Sequence, residues 1–262
     1  MTVIKEYPQY IEYMLLRTIQ ASSLKSAFEV LKDIINDVNL VIDSGGISIT
    51  TLDVARTALV DFKLNASQFD TYEFNENERI IAGINVTNMF KLLKVTTNND
   101  HIEIKLENKE FMEITIANNE KRTETRFKLK LLDIDEDHLI IPDINIICRT
   151  IMPSVDFQRI CRDMNNLAQD IEISRINNNL YIKCKGDFAD QETIIETSDN
   201  DFIGELSGLY SLKYMNMFTK ATGMCSTVQL IQENDGRFLL LKYNVADLGE
   251  LDFYLASKVS DT

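Results

Sequence analysis

The order of predicted elements repeats once along the chain, and this repeat constrains the fold more than any other feature. Residues 23–38 (SLKSAFEVLKDIINDV) place apolar side chains at i, i+3, i+4 and i+7, which predicts an amphipathic helix. A hairpin and further alternating strands follow, and a second helix is predicted at 86–95. Two more alternating segments, 101–107 and 111–117, close this first half as strands.

The second half runs through the same order, about 130 residues further along the chain. A helix is predicted at 154–167, with Ser154 as its N-cap, and a hairpin turns at 177–179. A last helix at 211–222 precedes two final strands. This is the signature of an internal duplication, so we expect two copies of one α+β domain, each with two helices packed on antiparallel sheets.

The repeat also predicts where the domains meet. We expect an N-terminal domain over 1–130, a C-terminal domain over 149–262, and between them a connecting loop over 131–148. That loop is acidic and holds one proline. Residues 1–12 extend the first domain, and the sequence suggests no role for them.

Composition narrows the class of protein. With 262 residues, 45% of them hydrophobic, the chain is expected to be globular and soluble, with neither a signal peptide nor a membrane partner. Four widely spaced cysteines without a CxxC pair, and only two histidines, predict reduced thiols in an intracellular protein. We therefore expect no metal, no cofactor and no catalytic residue. The formal charge of −14 argues against nucleic acid unless the cations are segregated.

The cations are indeed segregated in the predicted helices. Each helix carries one basic pair on the side away from its apolar stripe; the pairs are Lys25 and Lys32, Lys91 and Lys94, Arg159 and Arg162, and Lys213 and Lys220. Any one pair is typical of a solvated helix face. Four pairs at equivalent places in two repeats instead predict a basic track that binds phosphates without reading bases.

Two other features have competing interpretations. Asp133, Asp135, Glu136 and Asp137 lie near His138, which would suit a metal-dependent nuclease but is more typical of a solvated connector. The segment 253–258 (FYLASK) is either ordinary strand-end packing or an exposed apolar docking patch.

Short strings along nearly the whole chain, from about Met14 to Lys258, resemble the eukaryotic-type sliding clamps of the proliferating cell nuclear antigen (PCNA) family. These strings are LKDIIN (31–36), FDTY (69–72), KLLK (91–94), RICRD (159–163), FTKAT (218–222), STV (226–228) and ADLGEL–FYLA (246–256).

The resemblance implies the DNA clamp fold, in which three identical chains form a ring of six similar domains, with strands outside and helices lining a channel for double-stranded DNA. It implies a processivity factor without enzymatic activity, which tethers DNA polymerase and other replication and repair proteins and is loaded by an ATP-driven clamp loader. The location implied is the nucleus, or cytoplasmic viral replication sites if the source is a large DNA virus.

The resemblance also assigns residues. The channel positions that match the family are Lys25, Lys32, Lys91, Lys94, Arg159, Arg162 and Lys220, with Lys121 or Arg122 on a nearby strand end; helical periodicity alone adds Lys213. The pocket for the short PCNA-binding motif of partner proteins maps to Leu52, Leu59, Leu139, Ile141, Pro142, Phe238, Tyr254, Leu255 and Ala256. Subunits would join by pairing strand 111–117 with strand 191–198.

The chain departs from the family pattern at two places. Ser257 follows Ala256 where the family has proline, and Asn177 aligns with the lysine that eukaryotic members modify with ubiquitin. A second interpretation keeps the architecture but changes the assembly: the chain is then a monomeric or heteromeric clamp subunit, such as one of the damage-checkpoint type.

Overall fold

A computed structural model describes residues 13–53, 55–136, 139, 141, 146–197, 202–233 and 236–258. In this part of the chain the helices are α1 (Ala21–Leu31), α2 (Val86–Leu93), α3 (Ser154–Met164) and α4 (Leu212–Phe218), with 3₁₀ turns at Ala66–Gln68 and Thr219–Gly223. No helix in these ranges is long and apolar enough to span a membrane.

Strands make up most of the remaining structure. The first half contains β1 (Met14–Thr18), β2 (Asp37–Asp43), β3 (Gly46–Leu52), β4 (Ala58–Asn65), β5 (Thr71–Phe74), β6 (Ile80–Asn85), β7 (His101–Leu106), β8 (Phe111–Asn118) and β9 (Thr123–Lys130). The second half contains β10 (Ile146–Pro153), β11 (Asp170–Ile176), β12 (Asn179–Lys185), β13 (Asp190–Glu196), β14 (Glu205–Ser211), β15 (Thr227–Glu233), β16 (Phe238–Val245) and β17 (Gly249–Ala256). Both halves run strand, helix, several strands, helix and three strands, so the predicted repeat is present in the fold.

The strands form three antiparallel sheets. A five-stranded sheet has the order β5-β1-β7-β8-β9, and a four-stranded sheet has the order β13-β12-β11-β14. The largest sheet has eight strands in the order β10-β15-β16-β17-β4-β3-β2-β6. Strands β17 and β4 pair from Gly249↔Leu64 to Leu255↔Ala58, so the two halves share this sheet rather than closing separate ones.

The core lies between the helices and one face of each of the three sheets, whose buried residues belong to a single cluster. Phe28 of α1 meets Phe62 of β4 edge to face at 6.1 Å, and Phe218 of α4 stacks on Phe253 of β17 at 4.4 Å. All four rings are nearly inaccessible to solvent. Buried aromatic side chains each contribute about 2–3 kcal/mol through the apolar surface removed from water, so these contacts hold the helices to the sheet.

The first helix ends earlier than its apolar pattern predicts. It covers Ala21–Leu31 rather than 23–38, because the chain turns at once and the amides of Asp33 and Ile34 donate to carbonyls three residues back. Ile34 lies in this turn and is still buried. The apolar spacing of a helix therefore extends past Leu31, where the helix itself ends.

The other predicted helices are also shorter than expected. The helices predicted at 86–95 and 154–167 end at Leu93 and Met164. The helix predicted at 211–222 becomes a 3₁₀ turn after Phe218. Ser154 is not an N-cap: it is the first residue of α3, Pro153 precedes it, and its hydroxyl donates to the carbonyl of Cys225.

Strand β9 forms one edge of the five-stranded sheet, and the sequence pattern did not predict it. The segment 111–117 lies in β8, an interior strand, so its proposed role as the joining edge is wrong. Strand β9 pairs along all of β8 and forms the edge instead. Its first four residues, Thr123–Arg126, are all exposed and polar, so no alternating pattern marked it. Strand β13, within the predicted 191–198 segment, does lie at a sheet edge.

The connecting segment lies against the first half. The side-chain amide of Asn39 donates to the carbonyls of Ile134 and Asp135, and the guanidinium of Arg79 pairs with Glu136. A Cβ on Gly83 would stand 2.3 Å from the Leu132 carbonyl oxygen, so only glycine permits this close approach. The last residues of the predicted loop, from Ile146, are already strand β10.

Candidate nucleic-acid surface and partner cleft

The four helices form one continuous layer across both halves. Helix α1 packs beside α2 and beside the 3₁₀ turn Thr219–Gly223, and that turn also packs against α3 and α4. Two hydrogen bonds fix these contacts: the amide of Gln158 donates to Thr219 O at 2.8 Å, and Lys25 Nζ donates to Thr96 O at 3.1 Å. Helices distant in the sequence therefore present a single surface.

All of the predicted channel cations on helices lie on this layer or at its ends. Lys25 and Lys32 are half-buried, and the remaining eight predicted cations are exposed: Lys91, Lys94, Lys121, Arg122, Arg159, Arg162, Lys213 and Lys220. Exposed ammonium and guanidinium groups in one layer can neutralise the phosphates of a duplex without contacting bases.

The exposed helix cations differ in how free they are. Arg159 lies 3.3 Å from Asp156, and Lys91 Nζ donates to the side chain of Asn88 at 3.2 Å. Lys94 and Arg162 form no ion pair with any residue that the structure describes. These differences matter because only a cation not held by a carboxylate is fully available to a phosphate.

Lys121 and Arg122 lie in the turn between β8 and β9, where Arg122 has a φ of 54°. Asn118 donates to Asp100 at 2.6 Å and Asn99 donates to Glu120 at 3.2 Å, so this turn is tied to the loop that follows α2. The turn thus places two more cations beside the end of α2.

Asp33 is an acidic member of the helix layer and contacts two of its lysines. Its Oδ2 lies 2.5 Å from Lys220 Nζ and its Oδ1 lies 3.1 Å from Lys32 Nζ, which also stands 5.0 Å over the ring of Phe90. Partial burial raises the pKa of Asp33, but the hydrogen bonds and charges of Lys220 and Lys32 outweigh it, and the net pKa is lowered.

A second candidate site lies on the opposite face of the eight-stranded sheet. Residues that face each other across neighbouring strands form an apolar row there, consisting of Ile231, Leu240, Tyr254, Leu59 and Leu52. Four of these side chains form a small cluster separate from the main core, and Leu52 and Ile141 pack against it. We call this row the apolar cleft.

The apolar cleft unites several predicted partner-binding residues and adds two. Leu52, Leu59, Ile141 and Tyr254 come together as predicted, while the resemblance did not mark Ile231 and Leu240. No alternating pattern marks these two residues, because 230–231 and 238–241 are apolar runs; the strand register places them on the cleft face.

The remaining predicted cleft residues lie elsewhere or beside it. The prediction that Leu255 binds partners is wrong. Its side chain is 1% exposed and packs in the main core on the helix side, because neighbouring strand residues such as Tyr254 and Leu255 point to opposite faces. Phe238 and Ala256 are paired across β16 and β17 and share the strand face of the apolar cleft. Leu139 lines a cavity of about 280 Å³ between the connecting segment, β2 and β3. Pro142 lies outside the described residues.

A charged row runs directly beside the apolar cleft. It contains Gln229, Lys242, Asp252, Asp61 and Thr50, each opposite the next across neighbouring strands. Lys242 Nζ lies 3.1 Å from Asp252, and the hydroxyl of Thr50 donates to Asp61 at 2.8 Å. Burial raises the pKa of Asp252 to about 6, although the charge of Lys242 opposes this shift.

The acidic segment at 133–137 shows no metal-site geometry in its described part. Among the described residues no group of three or more carboxylate, histidine or cysteine side chains is placed to hold a metal ion. Glu136 is engaged by Arg79, and Asp137 and His138 lie outside the described residues. The four cysteines are not joined by disulfides.

Comparison with known proteins gives the same family for both halves. The family model of the proliferating cell nuclear antigen N-terminal domain matches residues 14–138, and that of the C-terminal domain matches residues 140–258. A protein of Paramecium bursaria Chlorella virus 1 described as "Probable DNA polymerase sliding clamp 1" is 38% identical over 256 residues, which cover 94% of this chain and 97% of the viral protein.

Proposed function

The chain belongs to the proliferating cell nuclear antigen family and is a sliding clamp, and we propose that three copies close into a ring that holds duplex DNA against the helix layer. The observation that carries this proposal is the continuous layer of four helices, which brings cations of both halves to one surface of an otherwise acidic chain. Repeated three times, that surface can surround a duplex.

The cations of the helix layer suit loose, sequence-independent contact with DNA. Lysine and arginine side chains that neutralise phosphates release condensed counterions, and this gain does not depend on which bases are present. Several of the cations are also held by neighbouring groups, such as Asp33 and Thr96. Contacts of this kind hold the duplex while allowing the ring to move along it.

Strands β9 and β13 are the proposed edges at which copies join. On its exposed face β9 carries Arg126, Lys128 and Lys130 together with Glu124, which pairs with Arg126, whereas β13 carries Asp190, Glu192 and Glu196. Pairing a basic edge with an acidic edge extends one sheet across the interface and disfavours the pairing of like edges. Ile194, 55% exposed on β13, would be covered by the neighbouring copy.

The apolar cleft is the proposed docking site for partner proteins: DNA polymerase, the clamp loader and other proteins with the PCNA-binding motif. A cleft lined by Tyr254, Leu59 and Leu240, with the connecting segment along its rim, accepts a few apolar anchors from a short peptide. We expect the protein to act without catalysis at sites of DNA replication, in the nucleus or in cytoplasmic viral replication sites.

The mass of the protein in solution tests the ring directly. Light scattering after size-exclusion chromatography should give three times the chain mass at micromolar concentration, and the loaded protein should stay on circular but not on linear DNA. A species near one chain mass, or a complex formed only with a different clamp subunit, would favour the monomeric or heteromeric alternative. Equal retention on linear and circular DNA would refute encirclement.

A further inference from the structure

One carboxylate in the helix layer holds two of the proposed DNA-binding lysines. Asp33 lies 2.5 Å from Lys220 Nζ through one oxygen and 3.1 Å from Lys32 Nζ through the other. Lys32 follows α1 in the first half, while Lys220 belongs to the 3₁₀ turn of the second half. Both cations are therefore committed to the same anion in the free protein.

The Asp33 site is open to an incoming anion. The side chains of Asp33 and Lys220 retain 33% and 51% of their exposure. A cavity of about 320 Å³ adjoins them between α1, α3 and the 3₁₀ turn. Gln158 lines the same cavity, and its side-chain amide has a second N–H beside the one that it donates to Thr219 O.

On the basis of the proposed DNA-binding function, we propose that Asp33 is an internal competitor for DNA phosphate. Its carboxylate occupies Lys32 and Lys220 in the free protein, and a backbone phosphate displaces it when the duplex binds. The displaced carboxylate then stands beside the phosphate, where like charges repel. The two lysines consequently contribute less to DNA binding than two free lysines would.

This competition has a measurable signature in the salt dependence of binding. Each lysine that neutralises a phosphate releases counterions and steepens the dependence of affinity on salt. A lysine that exchanges a carboxylate of the protein for a phosphate of the DNA releases fewer counterions in total. Removing the Asp33 charge should therefore raise affinity and steepen the salt dependence together.

The test compares two variants that lose the same charge from the same surface. Asp33→Asn keeps the shape of the side chain but removes its charge. Glu29→Gln is the matched control, because Glu29 lies one helical turn earlier, lines the same cavity and forms no ion pair with the described residues. Binding is measured by fluorescence anisotropy with a labelled linear 40-base-pair duplex as the probe, between 25 and 150 mM NaCl.

Asp33→Asn should steepen the log–log salt slope by about one and therefore tighten binding about 20-fold at 50 mM NaCl, whereas Glu29→Gln should change affinity less than twofold. The double variant Asp33→Asn with Lys220→Gln should lose most of the gain. Equal effects of Asp33→Asn and Glu29→Gln would overturn the proposal, because only overall charge would then matter. Weaker binding by a stably folded Asp33→Asn protein would also overturn it, since Asp33 would then position the lysines.

The unmodified protein provides a second readout that does not depend on a variant folding. Carboxyl NMR should show the pKa of Asp33 rising when the duplex is added, because the lysines that lower it have moved to phosphate. If the protein binds the duplex and the pKa of Asp33 does not change, the proposed displacement is wrong, while the proposed DNA-binding function stands. Absence of salt-dependent duplex binding by the unmodified protein would instead refute the proposed DNA-binding function, and the displacement with it.

Discussion

Removing cations from the helix layer should weaken DNA binding by an amount that the structure allows us to work out. The variant replaces four exposed residues with alanine: Lys91, Lys94, Arg159 and Arg162. Three of these form no ion pair within the described chain, and Arg159 shares its charge with Asp156 at 3.3 Å. The variant therefore removes between three and four available cations from each copy that faces the duplex.

Each lost phosphate contact lowers the log–log salt slope by about 0.9, so the slope should fall by about 3 for each copy of the ring that contacts the duplex. At 0.1 M salt the same relation predicts an affinity loss of about 10³-fold. The assay is duplex binding by fluorescence anisotropy over a range of NaCl concentrations, with the oligomeric mass checked for each protein.

A control of equal charge removes four cations from strands and turns outside the helix layer, namely Lys63, Arg79, Lys109 and Arg149, of which Lys63 and Arg79 pair with Asp61 and Glu136. This control should lose far less affinity, and its salt slope should stay close to that of the unmodified protein, because its charges lie away from the proposed DNA path. An unchanged slope in the helix variant, or equal losses in both variants, would refute the assignment of the helix layer to DNA.

Three further outcomes follow from other parts of the fold. Leu52→Asp should reduce binding of a peptide with the PCNA-binding motif at least tenfold, as measured by calorimetry, and leave duplex affinity unchanged; equal loss of both would contradict separate sites. Tyr214→Phe removes a buried 2.6 Å hydrogen bond to Asp53 that joins α4 to the first half, so the free energy of unfolding should fall by about 1.5–3 kcal/mol in denaturant titrations; no change would contradict this role. The pKa of Asp252 is about 6 in the folded protein against an ordinary 3.8, so the folded protein binds this proton more tightly than the unfolded chain does. Proton binding at Asp252 therefore adds up to about 3 kcal/mol to the free energy of unfolding below pH 4, and this contribution is lost as the pH rises through 6. Asp252→Asn should flatten that part of the stability profile, and an identical profile would contradict the shift.

Periodicity predicted the elements whose burial is simple. Strands β7 and β8 match the predicted segments 101–107 and 111–117 to within one residue, and the hairpin of β11 and β12 turns where three asparagines stand. In both cases one local pattern, apolar alternation or turn residues, decides the outcome without help from distant parts of the chain.

Other elements depend on contacts that the local pattern does not contain. Strand β9 has an exposed polar start and is held as a strand because it pairs along β8. Ile34 continues the helical spacing after α1 has ended, because the turn buries it equally well. The pairing of β17 with β4 joins segments almost 200 residues apart, and no repeat within one half could predict it.

The candidate sites show the same division. Helical wheels found the basic pairs because each pair lies on one helix. They did not find the contact of Asp33 with Lys220, since that contact depends on how two distant helices pack. Likewise, Ile231 and Leu240 enter the apolar cleft only through the register of the eight-stranded sheet.

The central claim, that DNA lies against the helix layer, is tested most directly by photo-crosslinking from chosen positions on the loaded ring. A crosslinker at Lys94, on the helix layer, should join to duplex DNA, while one at Lys63, on the opposite face of the eight-stranded sheet, should not. Crosslinking from Lys63 with none from Lys94 would contradict the account.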